Sequence, residues 1–110
     1  MKITLTHNKK TITLKVKNCN LFQKITGLTF TKKENAKILL FDFKKPTKIS
    51  IHSFFVFFNF LAIWLDESNK VVEIRKVTPW SLRAVPKKPF TKLIEIPVNK
   101  KYKELLTQFR

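Results

Sequence analysis

The chain has 110 residues, 44% of them hydrophobic, and a formal net charge of +16. That length holds one domain with one core, and Cys19, the single cysteine, excludes an internal disulfide and fits a reducing compartment. The most apolar run, Phe54 to Leu65, is broken by Asn59 and falls short of the about twenty residues of a spanning helix, so the expectation is a cytoplasmic protein with no membrane segment.

In chain order, the first signal is alternation. Ile3 and Leu5, then Ile12, Leu14 and Val16, share one parity, with Thr and Lys between them. Such alternation predicts a hairpin of strands 2–6 and 10–17 with one wet face. His7-Asn8-Lys9 makes its turn, because Asn tolerates the left-handed conformation. Asn20 and Gln23 have capping-box spacing, with Gly27 at the stop, which predicts a short helix over 21–26.

Residues 37–43 read as a strand ended by Lys44-Lys45-Pro46, and residues 48–52 as another. The run from Phe54 to Leu65 is apolar on both parities, so neither face of it can be wet. It is expected to break near Asn59, its second half running to Asp66. Glu67-Ser68-Asn69 then turns the chain into a strand over Val71–Val77. Residues 78–90 carry Pro79, Pro86 and Pro89 and read as an ordered loop. A last strand spans 91–97. Asn99 caps a closing helix with Tyr102, Leu105, Leu106 and Phe109 on one stripe. The sum is a mainly β domain: a small barrel or sandwich-like sheet of six to seven short strands with two short helices.

The charge admits two explanations. Clustered lysines neutralise phosphates and release counterions, so a basic, aromatic-rich domain suits sequence-tolerant RNA or single-stranded DNA. Against this, the 20 Lys stand beside only 3 Arg, and 11 Phe beside 1 Gly and 3 Ala. That skew follows from AT-rich codons in a protein of any function. Arg, the better residue for bidentate contacts to phosphate and base, is the scarce one. The expectation is therefore weak, non-specific nucleic-acid binding, with partners otherwise unassigned.

Several segments, taken in order, resemble a known family. Gly27-Leu28-Thr29-Phe30, Leu39-Leu40-Phe41-Asp42-Phe43 and Ser50-Ile51-His52-Ser53-Phe54-Phe55-Val56 come first. Ile63-Trp64-Leu65-Asp66, Lys70-Val71-Val72-Glu73-Ile74 and Thr78-Pro79-Trp80 continue the series. The ordered set, covering roughly residues 2 to 98, is similar to the domain of unknown function family 192 in its archaeal form. The chain departs from the family pattern at Thr31, Ser53, Asn59-Phe60-Leu61 and Ile94-Glu95-Ile96-Pro97-Val98-Asn99. The resemblance implies a compact, mainly β fold and no particular reaction.

No catalytic set stands out. His52 is the one titratable residue in the densest motif, and hydrogen bonding at a strand end accounts for it more simply than a base or ligand role. Ser53 adjoins it but points to the other face of a strand. The acidic residues are spread singly, Gly27 is the only glycine, and His7 and Cys19 have no ligand spacing to His52, so no metal or cofactor is expected. Where Gly27, Leu28, His52, Pro79 and Trp80 converge, a shallow ligand pocket is expected. Phe54, Phe55, Phe57 and Phe58 form either core or an exposed aromatic surface. The functional expectation is a non-enzymatic binding module, with nucleic-acid binding and an enzyme pocket around His52 and Trp80 as alternatives.

Overall fold

A computed structural model describes residues 2–18, 37–47, 59–78 and 87–109. Seven strands lie within them: β1 (Lys2–His7), β2 (Lys10–Lys15), β3 (Lys17–Asn18), β4 (Leu39–Thr47), β5 (Phe60–Leu65), β6 (Val71–Val77) and β7 (Phe90–Pro97). A 3-10 turn (Lys100–Tyr102) leads into the helix α1 (Lys103–Thr107). Strands β1 and β2 form one antiparallel sheet, and the other five form a second in the order β3-β4-β7-β5-β6. Among the described residues the sheets do not close into a barrel, and the arrangement is sandwich-like.

The hairpin follows its alternation. Ile3, Leu5, Ile12, Leu14 and Val16 are all buried, while Lys2, Thr4, Thr11, Thr13, Lys15 and Lys17 are exposed. Its two-residue turn puts both Asn8 (φ 51°) and Lys9 (φ 66°) in the left-handed region. That is the conformation whose twist matches the flanking strands.

Strand β4 does not end at Lys44-Lys45-Pro46 but runs to Thr47. Pairing with β7 is interrupted between Asp42 and Thr47. There the Lys44 N–H donates to Asp42 Oδ1 at 2.9 Å, and Lys44 turns left-handed at φ 63°. A bulge tolerates a proline that a regular ladder would not, which is why Pro46 does not stop the strand.

Strand β5 starts directly after Asn59 and is buried on both faces, as its two-sided apolar pattern requires. One face of the large sheet carries Leu39, Phe41, Phe60, Ala62, Trp64, Val77, Phe90 and Leu93. The other carries Leu40, Ile63, Leu65, Ile94 and Ile96, which pack against the hairpin's inner face and Phe109. Two ties hold the hairpin there. At its turn end, the Thr6 N–H donates to the Asn69 carbonyl at 2.9 Å, and Asn69 Nδ2 donates to the Thr4 carbonyl at 3.2 Å. At its open end, the Lys17 N–H donates to the Ile38 carbonyl at 2.9 Å, and β3 continues in parallel beside β4.

Asn99 caps the 3-10 turn that leads into the last helix rather than the helix itself: its Oδ1 accepts from the Tyr102 N–H at 3.2 Å. Tyr102, Leu105 and Leu106 pack on the hairpin core with Phe109. The helix expected over 21–26 and the strand over 48–52 lie outside the described residues, as do residues 79–86 of the proline-rich loop. No described helix is long and apolar enough to cross a membrane.

Candidate functional site

Gly27, Leu28, His52, Pro79 and Trp80, expected to share a pocket, lie outside the described residues, as do Phe54, Phe55, Phe57, Phe58 and Cys19. His7 lies within them; its ring centroid is 5.9 Å from that of Phe109, and its Nε2 is 3.3 Å from Asn8 Nδ2. Among the described residues, no three His, Cys, Asp or Glu side chains come together to hold a metal ion.

A cleft of about 660 Å³ opens where the hairpin's open end meets the large sheet and the C-terminal helical turn. Its construction follows from pattern. The alternation of β2 continues through Val16 into β3, so Leu14 and Val16 face inward while Thr13, Lys15 and Lys17 stay on the solvent side. The parallel pairing of β3 with β4 brings Lys37 and Ile38 alongside. The Asn99 cap sets the helical turn so that Lys101, Tyr102 and Leu105 form the remaining wall. Lysines at four positions (Lys15, Lys17, Lys37 and Lys101) thus surround a floor made from Leu14, Val16, Ile38 and Leu105. The Lys101 ammonium sits over the Tyr102 ring, 5.4 Å from its centroid.

No carboxylate is among the described residues of that lining. Asp66 instead accepts from the Ser68 and Lys70 N–H groups at 2.8 and 3.0 Å, and closes the β5–β6 turn. Glu73 pairs with Arg75 and accepts from the Lys87 N–H at 3.2 Å. These acids serve the sheet and turn rather than the cleft.

A second polar feature lies within the large sheet. Register aligns Leu39, Glu95, Ala62 and Arg75 across β4, β7, β5 and β6. Glu95 is 6% exposed, and burial pushes its carboxyl up to about 8. It therefore keeps its proton at neutral pH and can donate a hydrogen bond as well as accept one. Diagonal to it on β5, the buried Trp64 Nε1 has no hydrogen-bond partner among the described residues, while Arg75 lies 5.7 Å from the centroid of the Trp64 ring. A neutral acid and an unpaired donor so placed can hold polar matter inside an apolar face, or simply cost stability.

Sequence reasoning missed both features. For Glu95 the signal was available: a single carboxylate between Ile94 and Ile96, in a strand apolar on both parities. For the cleft there was none, because Lys15, Lys17, Lys37 and Lys101 come from segments that only the β3–β4 pairing and the Asn99 cap bring together.

The comparisons with known proteins agree with this architecture. Solved structures of low identity share the fold. One is a "putative transcription regulator" from Sinorhizobium meliloti, 17% identical, with TM-score 0.76 over 94% of this chain and 83% of that one. Another is a protein of unknown function from Novosphingobium aromaticivorans, 15% identical, with TM-score 0.72 over 93% of this chain and 75% of that one. Curated relatives include the UPF0127 protein of Thermococcus kodakarensis, 36% identical over 87 residues, which are 77% of this chain and 55% of the relative. A UPF0127 protein of Thermococcus sibiricus is 33% identical over 71% of this chain and 51% of its own length. A third, from Pyrococcus abyssi, is 30% identical over 73% and 68%. The chain spans about half the length of the first two of these relatives. The family model for DUF192, an uncharacterised group, matches residues 2–104, and the chain belongs to that family.

Proposed function

We propose that this chain is a non-enzymatic binding domain that seats an anionic, phosphate-bearing ligand in the lysine-rimmed cleft. The observation that carries this reading is the convergence of Lys15, Lys17, Lys37 and Lys101 around one apolar floor. An anion seated among ammonium groups is attracted by each of them and releases counterions. The cleft's volume of about 660 Å³ lies in the range of small-molecule sites, roughly 300–1,000 Å³. Catalysis is not part of this reading, because no histidine, cysteine or carboxylate is among the described lining residues.

Titration calorimetry with inorganic tripolyphosphate at low salt tests it. Saturable binding is expected, weakened at least tenfold when Lys15→Gln and Lys37→Gln are combined. An absence of saturable heat, or equal binding by the double variant, refutes the reading.

The pocket of Gly27, Leu28, His52, Pro79 and Trp80 is a separate proposal with its own test. His52→Asn and Trp80→Phe lower the melting temperature if these side chains only brace the fold, and leave it nearly unchanged if they serve a ligand.

A further inference from the structure

We infer that the outer edge of β6 is an interface between two copies of this chain, paired antiparallel about Ile74 into one continuous sheet. This stands independently of the cleft.

Strand β6 ends the large sheet in the order β3-β4-β7-β5-β6, and no described strand lies beyond it. Such an edge presents a row of N–H and C=O groups on which another strand can form. The hairpin meets only its beginning, where Thr6 bridges to Lys70. Further along, Val71, Val72, Glu73, Ile74 and Arg75 are each partly exposed and Lys76 is exposed. Their β5 neighbours Ala62, Ile63 and Trp64 are fully buried. A concavity of about 420 Å³ beside residues 71–74, bounded by His7 and Phe109, leaves space on the hairpin side of the edge.

The other edges are guarded in the usual ways, by shortness or by lysine. Strand β3 has two residues. Strands β1 and β2 carry Lys2, Lys10 and Lys15 and no acid. Strand β6 has no proline, and its pairing with β5 is regular from Glu73 to Val77.

Charge identifies the partner. The chain carries +16, yet residues 66–77 are balanced, with Asp66, Glu67 and Glu73 against Lys70, Arg75 and Lys76. A strongly acidic or basic peptide gains no net attraction from such a segment, whereas an identical copy can match it charge for charge. The register follows from parity. Opposed residues of an antiparallel pair share a face, so a symmetric pair centres on a residue and not between two. Centring on Glu73 or on Arg75 sets like charge against like. Centring on Ile74 sets Ile74 against itself and each Glu73 against the partner's Arg75. Arg75 keeps its own Glu73 and its place over the Trp64 ring, because a guanidinium with five donors can serve a second carboxylate as well.

Sedimentation equilibrium of the full chain in 0.15 M sodium chloride, where charge is screened over about 8 Å, tests the interface. A monomer–dimer equilibrium that stops at the dimer is expected, because a two-fold contact closes on itself. Glu73→Arg and Arg75→Glu should each weaken it roughly tenfold, since both opposed pairs then become like-charged. Mixing the two variants should restore association as a mixed dimer, in which every opposed pair is again of opposite charge. Neither variant regains its own internal pair on mixing, so recovery reads the contact between chains; melting curves check that each is folded. In a Cys19→Ser background, Ile74→Cys should cross-link on mild oxidation, its opposed α-carbons being about 4.5–5.5 Å apart. Lys76→Cys should not, because its two copies lie about 13 Å apart along the strands.

A chain that stays monomeric at millimolar concentration would overturn the inference and leave the edge to another occupant or to none. A dimer indifferent to both charge reversals, or cross-linked as readily through Lys76→Cys, would place the contact elsewhere and overturn it too. Association that continues past the dimer would do the same.

Discussion

Glu95 makes folding depend on pH. Its carboxyl titrates near 8 in the folded protein, because burial disfavours the charged form, against 4.5 when unperturbed. The folded state therefore holds a proton that the unfolded chain has lost between these values. Its contribution is fully present below pH 4.5 and is lost as pH rises to about 8. Each unit of difference is worth roughly 1.4 kcal/mol, so the change across the window is on the order of a few kcal/mol. Urea midpoints measured from pH 5 to pH 9 should fall for the native chain and stay nearly level for Glu95→Gln. The variant should be the more stable of the two at pH 9. Parallel profiles would mean that Glu95 is not the titrating group. At this scale the sequence was partly legible: the fate of Ile3, Leu5, Ile12, Leu14 and Val16 follows from alternation alone. A glutamate's protonation state does not, because it depends on what the neighbouring strands place around it.

Among the elements, the N-terminal hairpin shows where local sequence is enough and where it falls short. Both turn positions are left-handed, and Lys9 reaches φ 66° with a full side chain. A β-carbon there costs roughly 1–2 kcal/mol, partly offset by the greater freedom that glycine has in the unfolded chain. Lys9→Gly should therefore stabilise the domain by about 0.5–1 kcal/mol, seen as a higher melting temperature with the spectrum unchanged. A lower melting temperature would mean that the Lys9 side chain contributes more than its strain costs. The Asn99 cap was legible because capping is local in sequence, and Asn99→Ala should cost about 0.5–2 kcal/mol. It should also weaken anion binding, since the cap places Lys101 and Tyr102 in the cleft wall. The extent of β4 was not legible. Pro46 signals a strand end, and only the bulge after Asp42 removes that conflict.

The whole molecule carries +16; among its described carboxylates Asp42 and Asp66 accept from backbone N–H groups, Glu73 pairs with Arg75 and Glu95 is buried and neutral. Self-repulsion of that size opposes the compact state, and it is screened over about 10 Å at 0.1 M salt. The melting temperature should rise between 20 and 500 mM sodium chloride, and rise less in a variant that combines Lys15→Gln, Lys37→Gln and Lys101→Gln, which has lost three of the cations that line one cleft. A melting temperature independent of salt in both would show that the lysines are too far apart to matter. The mainly β class was legible from counting alternating runs, but strand order was not. Nothing in residues 90–97 says that they go to the centre of the sheet rather than to its edge, except that both parities are apolar.

That central position of β7, between β4 and β5, bears on how the protein is made. During synthesis β4 has β3 and β5 has β6 before residues 90–97 are made, yet the two halves of the large sheet cannot join until those residues leave the ribosome. Until then Phe60, Ile63, Trp64 and Leu65, all buried in the finished fold, are exposed to other chains. A nascent chain stalled before residue 90 should be bound by chaperones and cut by protease throughout β5, and one released after residue 97 should resist. Refolding of the complete chain should likewise be slow for its size, because its last strand must close long-range pairings with β4 on one side and β5 on the other.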